Sequence, residues 1–368
     1  MDSPTAVKPA GAAEELKEFY GDLDRKQLVP LWNVTANLLP REPKTKLVPY
    51  LWRWKDLYPL ALRAGDLVPI ERGGERRVLS FVNPAIPEKY SATHTLWGAL
   101  QILLPHETAP AHRHSPAAIR FIVQGQGAYT TVEGVKCVMG RGDLVLTPAW
   151  LWHDHGNDTD EPMLWMDGLD LPFVHGLDAT FFEPHQELRQ ALSRQDNESE
   201  WRYGVGQLKP AWEPLTQGAS PLWNYKWART YEALANLARS QASPFDDIAM
   251  EYINPHTGGP VLPTIGCWIQ LLRPGVHTRA HRHTGSAVYH VFEGSGATII
   301  NGQRFDWSRG DFFVLPPWAW HEHVNPGNEE VILFSIQDAP VMRALGLYRE
   351  QPYEKDGGHQ EVTGVFSG

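Results

Sequence analysis

From Gly73 onward the chain alternates short apolar runs with Gly, Pro and Asp punctuation: RRVLSFV, TLWGALQILL, AIRFIVQG, GAYTTVEG, GDLVLTPAW and MLWMDGLDL. Runs of this length and spacing predict strands, and their density predicts a sandwich or barrel. The preceding segment has a different rhythm. EELKEFYGDLDRKQLVPLW reads as a short acidic helix, and Leu51, Trp52, Trp54, Leu57, Leu60, Ala61 and Leu62 recur at roughly helical spacing. Residues 1–72 are therefore expected to form a helical arm with proline breaks, and 73–183 a first β domain. HQELRQALSRQ and YEALANLARSQ predict a helical linker over 184–247, followed by a second strand-rich domain over 248–345 and a tail over 346–368.

The second β block repeats the first. GRGDLVLTPAWLWHDHGN, starting at 140, returns as SRGDFFVLPPWAWHEHVN, starting at 308, an offset of 168 (308 − 140). APAHRHSPAAIRFIVQGQG, from 109, returns as TRAHRHTGSAVYHVFEGSG, from 278, an offset of 169 (278 − 109). One residue of drift between two matched motifs marks a duplicated domain, and the period is far too long for a solenoid unit.

Composition narrows the class. The 368 residues carry 43 acidic and 33 basic side chains, a net charge of -10, which argues against nucleic acid as the main partner. The 15 Trp, 30 Pro and 32 Gly suit an aromatic-lined, turn-rich β architecture. Cys137 and Cys267 are too few for a disulfide framework. With no apolar signal core at the N-terminus and no run of about 18 apolar residues, the reading is a soluble, cytoplasmic protein without a membrane partner.

The chemistry lies in histidines. His112 and His114 precede His153, and His281 and His283 precede His321, at nearly equal distances (153 − 114 = 39; 321 − 283 = 38). Residues two apart on a strand face one side, so each His-x-His presents two imidazoles to one interior, and a third from a neighbouring strand completes a metal-binding face. Imidazole suits Fe, Zn, Cu and Ni, so ligand type alone leaves the metal open.

These residues resemble the cupin superfamily. Its motif G-x5-P-x-G-x2-H-x3-N is matched by Gly142, Pro148, His153 and Asn157, and by Gly310, Pro316, His321 and Asn325, with Trp150 and Trp318 where the middle Gly belongs. Its other motif, G-x5-H-x-H-x3,4-E-x6-G, is matched by Gly275, His281, His283 and Gly294, and by His112, His114 and Gly125 with His106 in place of the first Gly. Ala118 and Ala287 replace the motif glutamate, so each metal would have three neutral ligands and no protein carboxylate.

Over two domains the chain resembles the bicupin gentisate 1,2-dioxygenases, with the salicylate and 1-hydroxy-2-naphthoate 1,2-dioxygenases, in ERGGERR, HRHS, RGDLVLTP, HDHGNDT and WMDGLDLP. The resemblance implies a mainly β bicupin of two jelly-roll barrels with a helical arm and linker, assembled as a homotetramer. It implies Fe(II) at His112, His114 and His153 in a catalytic first domain. With O2, that site would open gentisate between the carboxyl-bearing and adjacent hydroxyl-bearing carbons to give maleylpyruvate, in aromatic catabolism. Salicylate or 1-hydroxy-2-naphthoate is the alternative substrate, and a non-oxidative Zn or Mn bicupin the alternative class.

Around that site Arg120 shares the inward face with Ala118 by strand parity, and Asp167 is its expected partner, either for catalysis or only to hold the barrel. Their counterparts in the second copy are Tyr289 and Ser335, so the second triad is expected to be structural or vestigial. By the resemblance, Arg72 and Arg76 contact the substrate carboxylate and Trp97 the ring. His155, oriented by Asp167, moves protons. Arg77 has the opposite parity to Arg76 and is expected at the surface.

Overall fold

The computed structural model describes residues 11–74, 77–206, 208–215 and 218–368. They fall into two compact units, with the break between Lys44 and Thr45. The first unit contains helices Gly11–Arg25 and Leu31–Leu38, where the Trp32 indole donates to the Tyr20 hydroxyl at 3.1 Å. No helix among the described residues is long and apolar enough to cross a membrane.

The second unit is mainly β and holds two barrels, each built from two sheets. In the first barrel, strand Ala118–Gln124 lies between Leu144–Thr147 and Met163–Leu169. Its residues alternate between two interiors. Ile119, Phe121 and Val123 enter a large core shared with Val288, Phe292, Phe312, Phe334 and Ile336 of the second barrel. Phe121 stacks on Phe334 with centroids 4.0 Å apart. Ala118, Arg120 and Ile122 face the other way, into the barrel, which is why this strand is buried on both faces.

The two barrels exchange edge strands. Tyr50–Trp52 pairs with Phe312–Leu315 of the second barrel, yet the helix that follows it, Trp54–Leu67, packs on strand Trp97–Leu103 of the first. Reciprocally, Asn224–Tyr225 pairs with Leu144–Thr147 of the first barrel, and helix Trp227–Leu237 packs on Ile248–Glu251 of the second. The expected arm thus divides: Leu51 and Trp52 are strand residues, and the helix begins only at Trp54.

The RGD turns supply the anchors for this exchange. Asp311 Oδ1 accepts the Trp54 N–H at 2.7 Å, and Asp143 Oδ1 accepts that of Trp227 at 2.9 Å, so each carboxylate satisfies a free donor at a helix N-terminus. Gly142 and Gly310 sit at φ +85° and +94°, and a Cβ there would run into Trp227 or Trp54. Asp311→Ala is expected to destabilise the protein by roughly 1–3 kcal/mol, the cost of a lost cap with buried donors left unpaired. A fall in the thermal midpoint, with the secondary structure content unchanged at low temperature, checks this.

HQELRQALSRQ is not helical. After strand Phe182–Pro184 the chain stays extended along the first barrel, with Ala111 N–H donating to Leu188 O and Ser193 N–H to Gly134 O. The Asp154 carboxylate takes both the backbone N–H and the side-chain amide of Gln190. An open sheet edge and a buried acceptor outweigh helix propensity here. The C-terminal tail repeats the arrangement: Glu350–Pro352 pairs with His281–His283, and Gly364–Val365 with Gln303–Ser308. Both wrapping segments therefore belong to the barrels that precede them. Of the linker, YEALANLARSQ does fall largely in a helix, Trp227–Leu237.

Candidate active site

Strand Thr108–His114 carries His112 and His114, and strand His153–Gly156 brings His153 into register opposite His112. The ring centroids of His112 and His114 lie 4.4 Å and 4.8 Å from that of His153. Each Nδ1 meets a backbone carbonyl: Pro110 O at 2.7 Å, Pro116 O at 2.7 Å and Leu151 O at 2.9 Å, respectively. A carbonyl can only accept, so each Nδ1 carries the proton and each Nε2 is left with a lone pair. The three ligand atoms lie within 4.8 Å of one another. His153 Nε2 is buried with no hydrogen-bond partner among the described residues, and burial beside two other imidazoles keeps that ring neutral, with its pKa well below the usual histidine range. An orphaned acceptor among three fixed tautomers is what a metal site requires.

Trp150, at the motif glycine position, has φ +66°, and Trp318 has φ +61°. The backbone keeps the left-handed turn that favours glycine, and the Trp150 N–H closes it on His114 O at 2.8 Å. His106, in the other glycine position, likewise has φ +61°, against +71° for Gly275.

The triad opens onto a cavity of about 510 Å³ lined by Val78, Ser80, Trp97, Gln101, His112, His114, Ala118, Arg120, His155, Asp167, Phe181 and Phe182, among others. Ala118, in place of the motif glutamate, offers only a methyl to this wall. Arg120 pairs directly across the sheet with Asp167. Its Nη1 donates to Thr147 Oγ1 at 2.9 Å, and its Nε lies 3.4 Å from Asp167 Oδ1. Burial pushes the Asp167 carboxyl up to about 6 even though Arg120 and a hydrogen bond from the Trp165 indole pull it down.

Comparison with known proteins completes the picture. A cupin-domain family model matches residues 99–169 and again 268–337. A 5-aminosalicylate 1,2-dioxygenase from Comamonas sp is 44% identical over 97% of this chain and 96% of its own length. A gentisate 1,2-dioxygenase from Streptomyces sp is 42% identical over 91% of this chain and 94% of its own. The crystal structure of a salicylate 1,2-dioxygenase from Pseudoaminobacter salicylatoxidans, as adducts with gentisate, superposes with a TM-score of 0.85 at 38% identity, covering 95% of each chain. The chain belongs to the gentisate and salicylate 1,2-dioxygenase family. It is a bicupin ring-cleaving dioxygenase.

Within this dioxygenase several expected residues fall elsewhere. His155 borders the cavity, but Thr130 orients it, with Oγ1 2.9 Å from His155 Nδ1; Asp167 engages Arg120 and Trp165 instead. Arg77, expected at the surface, is buried beneath helix Trp54–Leu67, ion-paired to Glu107 and donating to Gly65 O at 3.1 Å. Arg72 is exposed at the end of the short turn Ile70–Arg72 and is not among the cavity residues, and Arg76 lies outside the described residues. Trp97 is half-buried and lines the cavity as expected.

Sequence reasoning missed Gln101, Thr147, Phe181 and Phe182. Gln101 shares the parity of Trp97, a usable signal. Phe182, which stacks on His112 with centroids 5.2 Å apart, lies on a strand the pattern does not announce.

In the second barrel the ligand atoms of His281, His283 and His321 also lie within 4.8 Å of one another, and all three residues are buried. Tyr289 occupies the place of Arg120 and stacks on Phe313 with centroids 4.7 Å apart, in an apolar cluster with Trp307 and Leu333. At the strand position of Arg120, that interior therefore offers a phenol ring and no guanidinium.

Proposed function

We propose that this dioxygenase opens gentisate between its carboxyl-bearing and adjacent hydroxyl-bearing carbons to give maleylpyruvate, using Fe(II) held by His112, His114 and His153. The observation that carries the reading is a cluster of three lone-pair-bearing imidazoles, two of which line a cavity together with a buried guanidinium. Fe(II) bound there supplies the one-electron chemistry that lets dioxygen react with a closed-shell aromatic ring.

The chain's own groups do the rest. Arg120 holds the substrate carboxylate and stabilises negative charge, its orientation set by Thr147 and Asp167. Trp97, Phe181 and Phe182 flank the ring and exclude water. His155 Nε2, buried without a hydrogen-bond partner among the described residues, receives the phenolic proton, while Thr130 holds its Nδ1. Thr130→Val is expected to lower kcat about tenfold with little change in KM, because it loosens a proton carrier rather than the carboxylate grip. Steady-state kinetics check the split.

The test of the reaction is O2 uptake by Fe(II)-loaded protein with gentisate, together with the ultraviolet spectrum of the ring-opened product. Gentisate is expected to show the highest kcat/KM among gentisate, 5-aminosalicylate, salicylate and 1-hydroxy-2-naphthoate. The Comamonas relative supports a second reading, 5-aminosalicylate, which differs from gentisate in an amino group at ring position 5. A higher kcat/KM with that compound would replace gentisate with it. In solution the enzyme is taken to be a homotetramer of the 41.5 kDa chain, which light scattering measures.

A further inference from the structure

The second barrel carries a third cluster, apart from both triads. His277, Glu322 and His359 offer ligand atoms within 4.8 Å of one another. His277 Nε2 is 3.2 Å, and His359 Nδ1 2.9 Å, from Glu322 Oε2, and the two rings lie 4.2 Å apart. The Glu322 side chain is 0% exposed, whereas those of His277 and His359 are 41% and 37% exposed.

The duplication provides an internal comparison. Glu322 matches Asp154 (322 − 154 = 168), and each accepts the backbone N–H of a wrapping-segment glutamine, Gln360 or Gln190. In the first barrel the equivalent of this cluster holds Arg189, whose guanidinium donates to Thr108 and pairs with Asp158. In the second barrel His277 stands in place of Thr108 (277 − 108 = 169) and His359 in place of Arg189 (359 − 189 = 170). Where the first barrel has a guanidinium and a hydroxyl, the second has two imidazoles, both with a ring nitrogen against the same oxygen of the buried Glu322.

We propose that His277, Glu322 and His359 form a third metal site, one for a borderline divalent transition ion such as Zn2+. Two imidazoles and a carboxylate are the donors this class of ion prefers, with water completing the shell. Donor separations of 2.9 and 3.2 Å are those of neighbouring ligands on bonds of about 2.0–2.2 Å. The partial exposure of both histidines gives the ion a route in. His277 precedes the His281–His283 strand and His359 lies in the tail, so the ion clips the C-terminal wrap to the barrel.

The test uses untagged, Fe(II)-loaded full-length protein dialysed against Zn2+, with metal analysis of the wild type, His277→Ala, His359→Ala and His359→Arg. His359→Arg restores the first-barrel pattern and keeps the tail docked. The wild type is expected to take up about one more zinc per chain than any variant, and zinc is expected to raise its thermal midpoint alone. Ring-cleaving turnover of the Fe(II)-loaded variants should equal the wild type, which shows that they are folded. Equal zinc uptake by the wild type and His359→Arg overturns the proposal and leaves the imidazoles as hydrogen-bond donors to Glu322.

Discussion

His153→Ala is expected to lower ring cleavage by about 10³-fold, since metal-centred catalysis supplies several kcal/mol and each 1.36 kcal/mol is a decade in rate. His153 is the most enclosed of the three ligands, and its Nε2 has no other partner among the described residues. Alanine leaves His112 and His114 only two imidazoles, so bound iron should fall with activity. The matched control is His321→Ala in the second barrel, at the same motif position. There turnover should persist, because Tyr289 and Ser335 replace Arg120 and Asp167. Iron per chain and O2 uptake, measured on both variants, separate the two sites. Equal loss of turnover in both would show that the barrels do not divide the work in this way.

Arg120→Met has the second largest expected effect, a fall in kcat/KM of about 10²–10³-fold. Removing one member of a buried, hydrogen-bonded charge pair costs about 2–5 kcal/mol. The loss should fall mainly on KM for the carboxylate substrate. A pH signature distinguishes lost binding from a collapsed barrel. The folded pKa of Asp167, about 6, lies above its ordinary 3.8, so the folded state holds this proton more tightly than the unfolded chain. Stability from Asp167 is therefore present at low pH and lost as pH rises from about 3.8 through about 6. Without Arg120 the carboxyl loses its attraction to a cation, and the window extends above 6. The thermal midpoint of Arg120→Met should accordingly keep falling between pH 6 and 8. Arg120→Met combined with Asp167→Asn should lose that slope and recover stability without recovering activity.

The pattern of what the sequence revealed has physical causes. Both triads were readable because His-x-His spacing has one outcome on a strand and because the duplication repeated it. Arg120 was readable by the same parity, since neighbouring Ile119 and Phe121 must face the other interior. Thr130 was not, because its bond to His155 follows from the register of two strands that sequence spacing does not encode. Arg77 was misplaced because parity names a face but not the helix that covers it. HQELRQALSRQ has helical periodicity, but a sheet edge and Asp154 held its backbone instead. The exchanged strands, three and two residues long, carry too little pattern to name their partners.

That exchange has a consequence for how the protein is made. Trp52 emerges from the ribosome about 260 residues before its partner Phe312 (312 − 52 = 260). At about 5–20 residues per second, the aromatic segment Tyr50–Trp52 waits about 13–52 seconds for the edge it will cover. The first barrel, for its part, lacks its own edge strand until Tyr225 has been synthesised. The first barrel therefore cannot be completed during its own translation, whereas the strand the second barrel borrows is already made when that barrel appears. Until Phe312–Leu315 is made, Tyr50–Trp52 has no partner edge, and yield on overexpression should respond to slower translation at low temperature.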